Sequence, residues 1–298
     1  MATATNSIRN WFTPQRWWSA AREAVSRVGW RAPLRALRVP HPSSARVGDW
    51  PQHPFDLMHG VDTGGLILGD ALANGHEHDI HNSGYYATSP SLFCGAVEQW
   101  TATLAAVGLG IEDYTFIDIG CGKGRVVMLA AEYAFREVIG VELNPALAQV
   151  ARQNLRRRLR KPRPSWVSQV RGPREKVLVP GVEVARFWRP GRPTSRVRIL
   201  EADALSVSIP DGPVVLFFFN SFEREMVRMW LDRLVAAAAT RTQPIDVVYI
   251  HPEHADLFRH ARGVELLAHA VVPFSAEDAA ADVFGVDFDC CAVYRLGC

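Results

Sequence analysis

The segment Asp118-Ile119-Gly120-Cys121-Gly122-Lys123-Gly124 places three glycines at alternate positions, after an apolar run and before a helical pattern. Alternating glycines let the chain turn tightly and let a ligand come close to the backbone. The helix start that follows should present unpaired N–H groups. Glu142 stands 18 residues beyond Gly124, at the end of the next apolar run. A carboxylate there can accept both hydroxyl hydrogens of a ribose. Asp203, in Glu201-Ala202-Asp203-Ala204, follows a third run, and an acid at that place can accept from an adenine amino group. A fourth run ends in Asn220-Ser221-Phe222. The Asn220 side-chain carbonyl can orient a neutral amine, or the residue can cap the next helix. A fifth run ends in His251-Pro252-Glu253-His254. His251 can serve as a general base, or the four residues can form a capping turn before a short helix. Together these groups suit a nucleoside-bearing ligand beside a group able to take a proton.

The elements that must position them alternate between strand and helix. Thr115 to Ile119, Val138 to Glu142, Val197 to Leu200, Val214 to Phe219 and Ile245 to Ile250 read as strands. The unbroken apolar run at Val214 to Phe219 suits a central parallel strand covered on both faces. Helices are predicted from Gly124 to Ala134, from Asn144-Pro145 through Leu159, from Glu223 to Ala239, and from Glu253 to Arg262. Ser89-Pro90 marks an earlier helix start, with serine as N-cap and proline at the first helical position. Residues 53–88, rich in Gly, His and Asp, read as irregular. Leu266 to Val272 and Val283 to Arg295 would close the sheet as an antiparallel pair. The alternation predicts a doubly wound, mostly parallel, seven-stranded α/β sheet with an antiparallel strand at its C-terminal end. Such sheets bind ligands beyond the carboxyl ends of their strands, where all of these candidates fall.

In order and spacing, residues 85–295 resemble the class I S-adenosylmethionine-dependent methyltransferases, which share this Rossmann-like fold. Within that family the chain looks most like bacterial members of poorly defined substrate. Those share a loop like Ile117 to Arg125 and an upstream segment like Phe55-Asp56-Leu57-Met58-His59-Gly60-Val61-Asp62-Thr63. A fainter likeness is to lysine methyltransferases that lack a SET domain. The resemblance implies S-adenosyl-L-methionine as cofactor. Asp118 and the Gly120 backbone would hold its methionine part, and Gly122 and Gly124 would give it room. Glu142 would bind the ribose and Asp203 the adenine, with Cys121 contributing backbone only. Tyr85, Tyr86 and Thr88 would close over the ligand. The implied activity is methyl transfer to a protein or small-molecule nitrogen. Amino-group methylators of the family often carry Asn-Pro-Pro-Tyr where this chain has Asn-Ser-Phe. A dinucleotide fingerprint would need Gly or Ala where Arg125 stands, which disfavours a nicotinamide oxidoreductase. A fold that binds the cofactor without turnover is the non-enzymatic alternative.

The chain has 298 residues, 48% hydrophobic and 21% charged, with a net charge of +2. That suffices for a sizeable core. The charge is unevenly placed: residues 152–198 carry 15 basic and 2 acidic side chains, residues 199–298 carry 7 and 15. The basic zone reads as an insertion at about 160–196 within a methyltransferase domain spanning 51–298. It is either a solvated loop or an electrostatic footprint for RNA or DNA, which would make the acceptor a nucleic acid. Residues 1–50 form a separate basic arm with eight arginines and interleaved tryptophans. It can lie on a membrane surface or pack on the domain. No run suits a bilayer span and no signal peptide is evident, so a cytoplasmic protein is expected. Five cysteines without CxxC spacing read as reduced thiols. His76-Glu77-His78-Asp79-Ile80-His81 resembles a metal cluster but matches no zinc spacing, and a solvated loop is expected there.

Overall fold

The computed structural model describes residues 52–81, 84–160, 196–282 and 285–297. The basic arm and nearly all of the basic insertion lie outside them.

Nine strands and seven α-helices are described. β1 (Leu66–Leu68) and β2 (Gly84–Tyr86) form a small antiparallel ribbon. α1 (Pro54–His59) precedes it and α2 (Pro90–Thr101) follows. Then come β3 (Thr115–Ile119), α3 (Arg125–Ala130), β4 (Glu137–Glu142), α4 (Pro145–Arg160) and β5 (Arg196–Glu201). The chain continues through β6 (Val214–Phe219), α5 (Arg224–Ala238), β7 (Ile245–Ile250) and α6 (Ala255–His260). It closes with β8 (Val264–Pro273), α7 (Ala276–Ala281) and β9 (Phe288–Leu296).

The main sheet has the order β5-β4-β3-β6-β7-β9-β8. β5, β4, β3, β6 and β7 pair in parallel, and β9 runs antiparallel to both of its neighbours. This is the expected seven-stranded, doubly wound sheet. The strand order reverses at β3, so a crevice opens beyond its carboxyl end, between the loops after β3, β4 and β6. Alternate residues feed two cores. Phe116, Val215, Phe217 and Val248 pack against Phe93, Val97 and Trp100 of α2. Ile117, Leu216, Phe218 and Tyr249 pack against Val227, Trp230 and Leu231 of α5. Asp246 of β7 is fully buried and accepts from Arg295 of β9 and from Trp100 Nε1 at 2.7–2.9 Å. A buried charge held this way is costly to unpair.

Several element ends differ from the sequence reading. Residues 53–88 are not irregular throughout; they hold α1, the β1–β2 ribbon and two 3₁₀ turns. α3 stops at Ala130 rather than Ala134, because the Glu132 and Tyr133 N–H groups turn back to Leu129 and Ala130, tightening the chain out of α geometry. α7 fills the connection between the last two strands, and β9 begins at Phe288 rather than Val283. Ser89 does occupy the N-cap of α2, but its side chain makes no cap bond. The free Ser91 N–H is taken instead by Asp278 of α7 at 2.6 Å. Asn144 caps α4 as expected, accepting from Ala146 and Leu147. Among the described residues, no helix is long and apolar enough to cross a membrane.

Candidate active site

The loop after β3 carries its strain in glycine: Gly120, Gly122 and Gly124 have φ of 75°, 52° and 86°. Its hydrogen bonding departs from the sequence expectation. The Gly120 and Cys121 N–H groups donate to the Val141 carbonyl, and the Gly124 N–H to the Cys121 carbonyl. The Gly122 N–H donates to Glu142 Oε2 at 2.7 Å. Those four donors are spent inside the protein, so they are not a cradle for phosphate oxygens. This favours a ligand without a pyrophosphate.

The glycines are required by the protein's own packing. A Cβ on Gly122 would lie 2.1 Å from the Tyr85 ring, one on Gly120 2.9 Å from Ser221 Oγ, and one on Gly124 3.1 Å from Ala151 of α4. Gly124 therefore gives room to a helix, and Gly122 to Tyr85, whose hydroxyl donates to the Thr63 carbonyl at 2.6 Å.

Two cavities meet over this loop. One, of about 450 Å³, is lined by Tyr85, Tyr86, Thr88, Asp118, Gly120, Cys121, Arg125, Phe219 and Ser221. The other, of about 610 Å³, is lined by Leu72, His78, Gly120, Gly122, Glu142, Asn144, Asp203, Phe222 and Met226, among others. Both share Gly84, Tyr85, Gly120 and Ser221. The result is one trough with Asp118 at one end, Glu142 along its side and Asp203 at the other end.

Glu142 is buried, and its carboxylate accepts from the Gly122 and Asn144 N–H groups. Burial pushes its pKa up to about 7, against the lowering effect of those N–H donors. Asp118 is buried too; burial first, and the Glu142 charge second, hold it well above the usual carboxylate range. Cys121 is a buried thiol pushed up by the same burial and by both carboxylates, so it stays neutral. Asp203 is engaged on both oxygens. Oδ1 accepts from the Leu205 N–H at 2.9 Å, and Oδ2 lies 2.9 Å from His78 Nδ1.

The upstream segment is tied to the glycine loop, and only part of that was legible. Lys123 is fully buried, and its ammonium donates to Asp62 Oδ1 and the Gly64 carbonyl at 3.1 and 2.8 Å. Arg125 donates from Nε to Thr63 Oγ1 and lies 3.8 Å from Asp56. Thus the two cations of the glycine loop anchor residues 56–64, and the resemblance of that segment acquires a physical reason. Tyr86 and Thr88 line the cavity at the Asp118 end. Tyr86 donates to Asp282.

Asn220 and His251 follow the paired ends of β6 and β7, where Phe219 opposes Ile250. They are the two non-glycine residues with positive φ among the described residues, at 33° and 50°. Asn220 neither caps α5, whose N-cap is Glu223, nor lines either cavity. Its Oδ1 accepts from the Tyr249 hydroxyl at 3.0 Å, and its Nδ2 donates to Glu253 at 2.9 Å. One of the two lone pairs of that carbonyl is therefore occupied by Tyr249. His251 lies 3.1 Å through Nδ1 from Asp289 of β9. Burial acts to lower its pKa, but the Asp289 hydrogen bond and the charges of Asp289 and Glu253 outweigh it, so the net shift is upward. Nothing in the sequence linked His251 to Asp289, 38 residues on. The four residues 251–254 also make the expected turn before α6, whose N-cap is His254. No group of metal-ligating side chains suited to an ion occurs among the described residues.

Residues 117–177 match the family model described as a methyltransferase domain. No curated protein sequence matches the chain. Among solved structures, the magnesium protoporphyrin IX methyltransferase of Synechocystis PCC 6803 with bound SAM is 13% identical. That match covers 68% of this chain and 79% of that one, with a TM-score of 0.39. An RNA methyltransferase from Salinibacter ruber in complex with S-adenosyl-L-homocysteine is 17% identical over 68% and 88% of the two chains, with a TM-score of 0.33. The N-methyltransferase NodS from Bradyrhizobium japonicum WM9 is 12% identical over 70% and 97%, with a TM-score of 0.38. Likeness at this level says nothing of substrate. The sheet order is that of a Rossmann-like α/β fold, and residues 117–177 within it are similar to a methyltransferase domain.

Proposed function

We propose that the chain transfers a methyl group from S-adenosyl-L-methionine to a nitrogen of a protein or small molecule. The observation that carries this reading is the single trough joining Asp118, Glu142 and Asp203 across a glycine loop whose N–H donors are spent internally. The trough is long enough for an extended ligand with amino-acid, ribose and base parts, and it has an acid for each. Asp118 draws in the ammonium of the amino-acid part, and the Gly120 carbonyl, whose own N–H is engaged, remains as a further acceptor. Glu142, already oriented by two backbone donors, keeps lone pairs for the ribose hydroxyls. Asp203 and His78 face the base.

When bound, the sulfonium of the cofactor supplies an electrophilic methyl group, so the protein's task is positioning, desolvation and proton removal. Tyr85, Tyr86 and Thr88 shield the Asp118 end from water. His251, which like Asn220 lines neither cavity, is the titratable group at the strand ends to which this reading gives proton removal. Asp289 lies against Nδ1 and orients the ring. Its backbone strain, shared with Asn220, is of the kind found where geometry serves function.

No described feature favours a nucleic-acid acceptor. Arg152, Arg158 and Arg198, at the flanks of the basic zone, pair with Glu201, Glu132 and Glu137. The reading is tested by titrating the chain with S-adenosylhomocysteine, with NADH as control. Saturable binding of the former alone is expected; preference for NADH overturns it. For the acceptor, turnover of radiolabelled methyl groups on amine pools is expected, and labelling of nucleic acid alone would contradict the nitrogen assignment made here.

A further inference from the structure

The histidine loop reaches the far end of the trough. His78 lines the larger cavity beside Asp203, with Leu72, Asn144, Phe222 and Met226 around it. Its ring lies 5.3 Å from that of His76 and 6.2 Å from that of His81. The His78 side chain is 17% exposed and that of Asp203 14%, so the pair sits at the edge of the cavity rather than in open solvent.

The hydrogen bonding fixes its tautomer. Asp203 is an acceptor, so His78 Nδ1, at 2.9 Å, must carry the hydrogen of that contact. In the neutral ring Nε2 is then a bare acceptor. Among the described residues it has no hydrogen-bond partner. Asp203 is already oriented, since its Oδ1 is held by the Leu205 N–H. The loop itself is fixed: the Asn74, Gly75 and His76 N–H groups all donate to Asp79 Oδ2 at 2.7–3.0 Å. The His78 N–H donates to His76 Nδ1 at 3.2 Å, and the Glu223 N–H to the His81 carbonyl at 3.1 Å. The end of the trough thus presents two oriented acceptors, a carboxylate oxygen and an imidazole nitrogen, and no competing side-chain donor from His78.

An adenine amino group offers two hydrogens. Hypoxanthine, with a carbonyl in its place, offers an acceptor to two acceptors. We propose that His78, together with Asp203, reads the exocyclic amino group of the cofactor's base, making it a specificity-determining residue supplied from outside the sheet. This rests on the cofactor reading of the trough.

The test compares S-adenosylhomocysteine with S-inosylhomocysteine by calorimetric titration of the full chain. The wild-type chain should favour the adenosyl compound by at least about tenfold, the equivalent of about 1.4 kcal/mol. His78→Phe should lower affinity for the adenosyl compound by about tenfold and leave the inosyl compound within about twofold, closing the gap. His78→Asn keeps an N–H for Asp203 and a carbonyl acceptor, and should retain most of the discrimination. Equal loss of both ligands in His78→Phe, with discrimination kept, would show that the ring merely packs the edge of the cavity and would overturn the proposal. So would unchanged binding of both. If the wild-type chain binds neither compound, the cofactor reading fails and this inference falls with it. If it binds both equally, only the reading of His78 fails.

Discussion

The two ends of the sheet's carboxyl edge are built on different principles. Around β3 and β4 the chain is closed on itself: loop N–H groups bond to Val141, Cys121 and Glu142, and each glycine is filled by a neighbouring side chain. Strain there rests on glycine, which bears positive φ at little cost. At the ends of β6 and β7 the strain falls on Asn220 and His251, which bear it at a cost. The first region is a rigid seat whose acids are raised by burial. The second is a polar junction of three chain segments, joined by Asn220–Tyr249, Asn220–Glu253 and His251–Asp289 contacts. On the proposed function, the one would bind the cofactor and the other would handle the proton.

The largest expected effect strikes the second region alone. His251→Ala should lower kcat about a hundredfold, within the range for a lost general base, with cofactor affinity unchanged. Steady-state kinetics beside a binding titration checks this; an equal loss of affinity would show that the two regions are not separate.

Gly122→Ala strikes the first. A methyl group there collides with Tyr85 at a backbone angle alanine resists, and should cost about 2–3 kcal/mol of stability by denaturant unfolding. Adding Tyr85→Ala should return part of that. No recovery would mean that the backbone angle, not the ring, imposes glycine.

Smaller still is Glu142→Gln, which should weaken S-adenosylhomocysteine binding about tenfold. The carboxyl titrates at about 7. Below that pH it is protonated and offers fewer acceptors, so wild-type affinity should fall as pH falls through 7, and Glu142→Gln should flatten that dependence. Stability runs the other way. The folded pKa lies above the unfolded value of 4.5, so this group's contribution is fully present below 4.5 and lost as pH rises through about 7. Urea midpoints across that window, for wild type and variant, measure it.

The subtlest change is Asp289→Asn. Asp289 raises the His251 pKa, and activity requires the neutral ring, so the acidic limb of the rate profile should move to lower pH. A limb that stays in place would remove His251 from the proton path.

How much of this was legible depended on range. The strands Val214–Phe219 and Ile245–Ile250 were readable to the residue, because buried parallel strands are unbroken apolar runs. The glycine loop and Glu142 were readable because one turn and one strand position carry them. The β1–β2 ribbon was not, since three-residue strands have no periodicity to detect. Nor were Asp278 at the start of α2, or His78 beside Asp203, separated by 187 and 125 residues. Lys123 carried no role in the sequence reading, since its burial depends on Asp62 and Gly64 folding back over it. Nor could the strand end of Asn220 disclose Tyr249, whose hydroxyl reaches it from the neighbouring strand.

The central claim is that the trough over Gly120 and Gly122 seats S-adenosylmethionine through Glu142. Calorimetric titration of wild-type chain and Glu142→Gln with S-adenosylhomocysteine, at pH 6 and pH 8, tests it most directly. Saturable wild-type binding that tightens with pH, and weaker binding by the variant without that tightening, is the result expected. Equal affinity in both chains at both pH values would contradict the assignment.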